Sequence, residues 1–317
     1  NRTGEDNIFI GRTAGYTGLD HHNNIFIGDS TGYFTNNQFA KKNVFIGYAA
    51  GKNTQSYNNI FLGNRAGYKN TGGQNNIAIG DQAGRDNTAS QNIFIGAEAG
   101  KENTTGGMNI IMGRWAGRHN TTGSHLTIIG GGAAASMDAG AESVIIGGNA
   151  GALNVDGTGN VFLGYSAGWS NTGSNNIFIG QRTGYGVLQT VSDKLVIDNL
   201  ATATPLIYGD FASDLLTING AMNVTETLGV TGTLTSNGTL TANGTINANG
   251  FVSVNSNNFR IGTNPGTGTI PLNYVYQGGS SGSSSKQFAF TIHDYLWVTR
   301  GAEFDGSILV NSTTYAS

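Results

Sequence analysis

Short apolar triplets alternate with polar, glycine-rich stretches at a nearly constant interval from residue 1 to residue 184. In its commonest form a unit consists of asparagine, three apolar residues, glycine, three variable residues and a second glycine, as in Asn7–Gly15 and Asn176–Gly184. Eleven such units follow one another. Their period is too short for a helix pair, whereas Ile, Val and Phe favour strands and Gly and Asn favour tight turns. The pattern predicts an all-β chain with a parallel β-roll, or β-solenoid, over residues 1–184, each coil holding two short strands and two turns.

The two faces of each triplet carry different side chains, because side chains alternate along a strand. We expect the first and third residues, mostly Ile, to fill the inside of the coil. The middle residues would then form an outer stripe about 50 Å long at ~4.8 Å per coil, which is more apolar surface than soluble monomers usually expose. We therefore expect a homotrimer whose interface includes Phe9, Phe26, Phe45, Phe61, Phe94, Phe162 and Phe178. The alternative is that the chain's own second strand covers this phenylalanine face.

A second repeat, with an apolar residue at every sixth position, begins at Leu216. One apolar residue in six cannot build a core for a single chain, because apolar burial must offset the cost of ordering the backbone. Residues 216–255 are therefore predicted to form a stalk in which three chains wind into a triple β-fibre, with residues 185–215 as the connector. The trimer interface of the stalk would include Leu228, Leu234, Leu240 and Ile246. The alternative is a hexapeptide left-handed β-helix in one chain.

Aromatic residues are densest near the end of the chain, after a Gly/Ser loop at 278–285. Phe288, Phe290 and Ile292 alternate with small or polar residues, which is typical of a strand. Residues 256–317 are predicted to form a small C-terminal β-domain at the tip. Its candidate receptor-contact residues are Tyr274, Tyr276, Tyr295 and Trp297; the alternative is that these rings fill the core of the tip.

Composition argues against several classes of function. Charged residues make up 11% of the chain, against about 25% in average globular domains. The net charge is −3 and no basic patch stands out, so nucleic acid is not an expected partner. No apolar run approaches the roughly 20 residues of a membrane-spanning helix, so we expect no membrane insertion. The absence of cysteine excludes disulfides and thiolate sites.

No group of residues with catalytic spacing is found in the sequence. The acidic residues are scattered and change identity from coil to coil, as solvated turn residues do. His21 and His22 should point apart, and His119 and His125 are interpreted as surface residues, with metal binding as the alternative in both cases. The asparagines that open the triplets are expected to stack as a structural amide ladder. We expect no enzymatic activity, no metal and no cofactor.

The Asn-Ile-Phe-Ile-Gly phrase resembles the Asn-Ser-Val-Ala-Ile-Gly repeats of YadA-type trimeric autotransporter heads, which are left-handed parallel β-rolls in trimers. Over nearly the whole chain, the repeats together with 206–211 and 215–220 resemble tail-fibre-like proteins of Bacteroidota. That resemblance implies a C-terminal intramolecular chaperone of the endosialidase type, which trimerises the fibre and then cuts itself off after a serine. Ser317 would be the residue that such a cut leaves. We also expect a segment before Asn1 and an assembly or baseplate protein on the N-terminal side.

The sequence therefore predicts an extracellular attachment protein. It would be a homotrimeric tail fibre of a phage or contractile injection system, in which three tips together turn weak contacts with a cell-surface glycan or protein into avidity. The alternative is a bacterial surface adhesin or extracellular filament of the trimeric autotransporter type. Two further hypotheses are a polysaccharide-degrading tail spike, which needs acids clustered in a groove, and an ice-binding protein, which would use flat Thr/Asn ladders.

Overall fold

A computed structural model describes residues 4–17, 20–34, 40–237 and 241 of the protein. The described part of the chain contains fourteen short strands and no helix. All strands lie in the first of two compact units, Asn1–Thr231 and Gly232–Ser317. The strands are β1 (Ile8–Ile10), β2 (Ile25–Ile27), β3 (Val44–Ile46), β4 (Ile60–Leu62), β5 (Ile77–Ile79), β6 (Ile93–Ile95), β7 (Ile110–Met112), β8 (Thr127–Ile129), β9 (Val144–Ile146), β10 (Val161–Leu163), β11 (Ile177–Ile179), β12 (Lys194–Ile197), β13 (Ile207–Asp210) and β14 (Leu215–Ile218).

The strands form one sheet in the order of the sequence. β1 to β12 pair in parallel, and equivalent residues of successive repeats lie opposite each other, as Phe9 and Phe26 do. β12, β13 and β14 then pair antiparallel as a meander. One strand per coil with constant register means that each repeat is one turn of a solenoid, so the predicted parallel β-solenoid of about eleven coils is confirmed.

The return side of each coil differs from the prediction, because its described residues contain no second strand. Hydrogen bonds still join successive coils there, from the amide of Gly15 to the carbonyl of Thr31 (2.9 Å) and from Thr17 to Tyr33 (3.1 Å). However, the backbone is left-handed at Thr13 (φ 59°) and at Gly15 (φ 61°). These residues interrupt the extended conformation that a strand requires.

The middle residues of the triplets fill the inside of the coil, so the expected direction of the two faces is wrong. Phe26, Phe45, Phe61, Phe94, Phe162 and Phe178 are at most 1% exposed in the single chain, and Phe9 in the first strand is half-buried. Their rings stack along the axis, with centroids 4.8 Å apart between Phe26 and Phe45 and 4.9 Å between Phe45 and Phe61. These seven phenylalanines therefore form a core ladder and are not an interface with a partner chain.

The second glycine of each repeat explains why the ring points inward. A methyl group on Gly67 would lie 2.4 Å from the ring of Phe61, so the ring packs directly on backbone that has no side chain. In the one coil without this glycine, Ala134 takes the same left-handed conformation (φ 48°). The middle residue of that coil is the smaller Ile128. The chain itself thus covers the phenylalanine face, as in the alternative interpretation, but with Ala and Gly turn residues in place of a strand.

The predicted asparagine ladder is confirmed and spans the inside of the solenoid. Asn76 is fully buried, and its Oδ1 accepts a hydrogen bond from the amide of Asn92 in the next coil (2.8 Å). Its Nδ2 donates across the coil to the carbonyl of Ala89 (2.8 Å). Asn92 and Asn109 repeat both bonds. Each amide therefore fastens the start of a strand to the opposite wall, where the same carbonyl also accepts a hydrogen bond from a second asparagine, as Ala89 does from Asn87 Nδ2 (2.9 Å).

Candidate functional site

The first and third residues of β1 to β11 form a long apolar surface on the described chain. We call these outward-pointing positions the isoleucine face. None of them is buried, and all are apolar except Thr127. Eleven strands at ~4.8 Å give this face a length of about 48 Å. Soluble monomers rarely expose a continuous apolar patch of more than a few hundred Å², so the isoleucine face is a candidate interaction surface.

Sequence reasoning found that the strands are apolar on both faces but chose the wrong face as the exterior. The signal that could have corrected it is the spacing of the second glycine, six positions after the middle residue. A glycine kept at that spacing indicates close approach of a bulky side chain to the backbone. It pairs with the middle residue and therefore identifies the inner face.

The described part of the predicted stalk leaves its apolar residues in solvent. Leu228 is 55% exposed in the first unit, and Leu234 is 63% exposed in the second. Met222 and Val230 are exposed as well. Leu240 and Ile246 lie outside the described residues. The exposure agrees with the expectation that one chain cannot bury this repeat.

The predicted tip and its receptor-contact residues Tyr274, Tyr276, Tyr295 and Trp297 lie outside the described residues, as does Ser317. The turns of the solenoid, in contrast, carry exposed aromatic residues that the sequence analysis did not consider. The residue after each second glycine lies on one line along the coil edge, because hydrogen bonds such as Leu153 N to Trp169 O (2.8 Å) join successive coils there. We call this line and the neighbouring residues that follow each first glycine the turn edge.

Aromatic rings cluster at the two ends of the turn edge. Tyr16 stacks on Tyr33 with ring centroids 5.1 Å apart, and Trp169 stacks on Tyr185 at 4.9 Å. Near the first pair, the ammonium of Lys52 lies 5.6 Å from the ring centre of Tyr33. The edge thus presents flat apolar surfaces beside cationic groups, a combination found in surfaces that bind other molecules.

Ion pairs occupy the middle of the turn edge. Burial would raise the pKa of the Asp86 carboxyl, but hydrogen bonds from Arg85 (2.5 Å) and Lys69 outweigh this and hold the pKa below its usual range. Glu98 pairs with Lys101 (2.8 Å) and Arg118 (2.9 Å), and the hydrogen bond from Lys101 is the main cause of its lowered pKa. Each acid is matched by basic groups, which indicates a structural network.

The histidines of the described ranges are not gathered into a site. His21 is buried edge-on between Phe9 and Phe26, whereas His22 points away and bonds Asp20 (3.1 Å), so the adjacent pair does point apart as expected. His119 lies beside Glu102 at 2.8 Å. Within the described ranges no group of three or more His, Asp or Glu residues could hold a metal ion.

A shallow hollow of about 310 Å³ lies beside Lys41, Lys42, Tyr57 and Asn58.

No protein-family model, curated protein or solved structure matches this chain. Within the described residues, no helix has the length and apolar character needed to span a bilayer.

Proposed function

We propose that the protein is a homotrimeric extracellular attachment fibre in which three solenoid shafts pack through their isoleucine faces. The observation that carries the proposal is the isoleucine face itself, which runs without interruption over eleven strands and is covered by nothing in the described part of the single chain. Self-association explains why outward residues that vary freely elsewhere in the coil are restricted here to Ile, Val, Leu and Met, with the single exception of Thr127.

A copy of the same chain is the natural partner for this face. Because the coils repeat at a constant rise, two shafts side by side match strand for strand along the whole isoleucine face. The constant register of the strands keeps the face on one side of the shaft, so three copies can close around one axis with point-group symmetry. The exposed Leu228 and Leu234 of the following segment extend the same need for partner chains beyond the solenoid.

Attachment rests on the resemblance to tail-fibre-like proteins and on the architecture. A regular shaft separates an anchoring end from a recognition end, and three copies present each contact three times. In this proposal the fibre belongs to a phage or contractile injection system and is held by an assembly protein at its N-terminal side. A bacterial surface adhesin of the autotransporter type would use the same trimer and differ in what precedes and follows the chain.

The trimer is tested by measuring the mass of the protein in solution, by light scattering or native mass spectrometry. We expect three chains per particle. Ile110→Asp together with Ile146→Asp should release folded monomers, because the charges enter the isoleucine face. Val155→Asp is the matched control, since Val155 is 41% exposed, close to the 40% of Ile110, but lies away from that face. A stable wild-type monomer with its isoleucine face exposed would refute the proposal.

Attachment is tested separately by adding the labelled trimer to candidate host cells and measuring retained protein. Binding that saturates and is competed by unlabelled trimer supports the function. A trimer that is retained by no cell surface supports a purely structural filament.

A further inference from the structure

The turn edge has a two-coil gap in its line of large side chains. One line of the turn edge consists of the residues that follow the second glycine of each coil, or Ala134 in the coil that lacks it. Hydrogen bonds between successive coils place Ala135 and Ala152 in this line, between Arg118 and Trp169. Along the line after the first glycine, Gly131 and Gly148 lie between Arg114 and Tyr165. The gap therefore has a floor of small residues and large side chains at both ends. We call it the edge notch. Its end walls are three coil steps apart, about 14 Å at the parallel-strand spacing.

One wall of the edge notch is aromatic. Trp169 stacks on Tyr185 with one ring face only. Its neighbour on the other side is Ala152, which is too small to cover an indole. Tyr165 is 54% exposed, and its ring lies over Gly148, where an added methyl group would be 3.3 Å from Cδ2. Both rings are therefore held in place by the coil: Trp169 is half-buried against Tyr185, and Tyr165 lies over Gly148 at one end of the floor.

The opposite wall is cationic and also aromatic. The guanidinium of Arg114 lies 3.8 Å from the ring centre of Trp115, which is itself hydrogen-bonded to Glu98. Arg118 and Lys101 already take up the charge of Glu98. Arg114 has no acidic partner in the described structure, and its stacked guanidinium keeps its N–H groups at the edge of the plane, available for a bidentate acceptor.

Polar groups on and beside the floor are also uncommitted. The amides of Gly131 and Gly148 and the side chains of Ser136 and Asn149 make no hydrogen bond to other described residues. Space above Gly131 is open, since only a backbone oxygen 3.9 Å away would approach an added methyl group. A ligand lying on this floor would meet hydrogen-bond donors and acceptors between its two end walls.

We propose that the edge notch is a binding site for an acidic saccharide segment of about two pyranose rings. The C–H face of a pyranose packs on the electron-rich face of an aromatic ring such as Trp169. Hydroxyl groups around the ring's edge suit Ser136, Asn149 and the two glycine amides, and a carboxylate suits Arg114. A peptide or an apolar ligand would leave these polar groups without partners. The inference rests on the proposed attachment function and moves one glycan contact from the tip to the shaft.

The position of the site on the shaft has a consequence for affinity. In the trimer each shaft carries one edge notch, on residues that lie away from the isoleucine face. Three notches at one level of the fibre would bind a repeating surface polysaccharide multivalently, so weak single-site affinity is sufficient.

Binding is tested with the full chain on an array of acidic oligosaccharides, followed by calorimetry with tetrasaccharides of polygalacturonate, alginate and hyaluronan, and with maltotetraose as the neutral comparison. We expect at least one acidic tetrasaccharide to bind more tightly than maltotetraose. Trp169→Ala and Arg114→Gln should each weaken it about tenfold. Tyr165→Ala should weaken it too, whereas Tyr48→Ala, at the equivalent position of another coil and 53% exposed, should change binding less than twofold.

Ala135→Tyr provides a variant that fills the edge notch and leaves every residue of its walls unsubstituted. The same line of residues already accommodates Tyr33 and Tyr68 in other coils, so the fold should tolerate it. We expect loss of saccharide binding with unchanged circular dichroism and mass. Wild-type binding that Ala135→Tyr leaves intact, preference for maltotetraose, or no binding anywhere on the acidic array would each overturn the inference. If the protein is a cell-binding trimer in that event, the attachment function stands without this site.

Discussion

Gly67 lies so close to the ring of Phe61 that a methyl group on Gly67 would come within 2.4 Å of Cε2. The two residues are six positions apart in one coil, and the same pairing recurs between Gly32 and Phe26 and between Gly51 and Phe45. Ring and glycine together decide which face of the strand is inside. This pairing also decides which side chains remain outside for a partner.

Gly67→Ala should destabilise the shaft by about 2–4 kcal/mol, because it combines a left-handed backbone that alanine disfavours with an overpacked ring. The backbone at Gly67 has φ 58°. Gly72→Ala is the matched control, because an added methyl group there meets nothing within 4 Å. Adding Phe61→Ile to Gly67→Ala should recover part of the loss, as in the natural pair Ile128 and Ala134. Denaturant titration of wild type, Gly67→Ala, Phe61→Ile and the double variant measures the coupling, and strictly additive effects would contradict the pairing.

Phe45→Ala should lower the free energy of unfolding by about 3–5 kcal/mol, because the ring is fully buried between Phe26 and Phe61. Tyr48→Ala, three residues later and exposed, should change it by less than about 0.5 kcal/mol. Thermal and denaturant unfolding of both variants measure the difference. A Phe45→Ala protein that keeps its stability and instead loses its subunit association would restore the phenylalanine face as an interface.

Asn76→Ala should cost about 1–3 kcal/mol, because it leaves one buried backbone amide unpaired. The substitution leaves the amide of Asn92 without its partner inside the coil, whereas the carbonyl of Ala89 keeps its hydrogen bond from Asn87 Nδ2. Asn53→Ala is the control, since the Asn53 side chain makes no hydrogen bond to the described residues. Amide hydrogen exchange should show lost protection at Asn92 in the first variant. Equal stability of the two variants would argue against a ladder that holds successive coils together.

Stability should fall as the pH drops into the acid range. The pKa of Asp86 is lowered in the folded chain, so its contribution is present above the unfolded-state pKa of about 3.9 and is lost as the pH falls through the lower folded pKa. The contribution should be about 1 kcal/mol or less, because the pair is partly solvated. Melting temperatures from pH 2 to 6 should vary less in Asp86→Asn than in wild type. Asp156→Asn, which removes an exposed carboxyl without an ion pair, is the comparison variant.

The repeat made the solenoid predictable, because self-similarity at so short a period leaves few other architectures. The asparagine ladder was predictable for the same reason, since identical side chains at a fixed period must stack. The direction of the two strand faces could not be predicted in this way. Ile and Phe are both apolar, and alternation alone does not say which of them points inward. That choice depends on the backbone opposite the strand, where Gly67 or Ala134 sits.

The edge notch escaped sequence reasoning for a different reason. The small residues of its floor are ordinary one by one, and Arg114 and Trp169 are separated in the chain by three complete repeats. The small residues form one floor only because successive coils stack on each other. The same stacking places the large side chains of Arg114 and Trp169 at the two ends of the edge notch. The search for candidate sites followed clustered residues along the sequence, whereas a solenoid assembles its surfaces across repeats.

Because β1 to β12 pair in register, the number of coils sets the length of the shaft. Each coil touches only its two neighbours, so removing the repeat from Asn92 to Met108 should rejoin Asn76 and Asn109 as adjacent rungs. The shaft would shorten by one step of about 4.8 Å, and duplication would lengthen it by the same amount. The length of such a fibre is therefore a whole number of coil steps. A single recombination event can change that number while the faces of the remaining coils stay aligned.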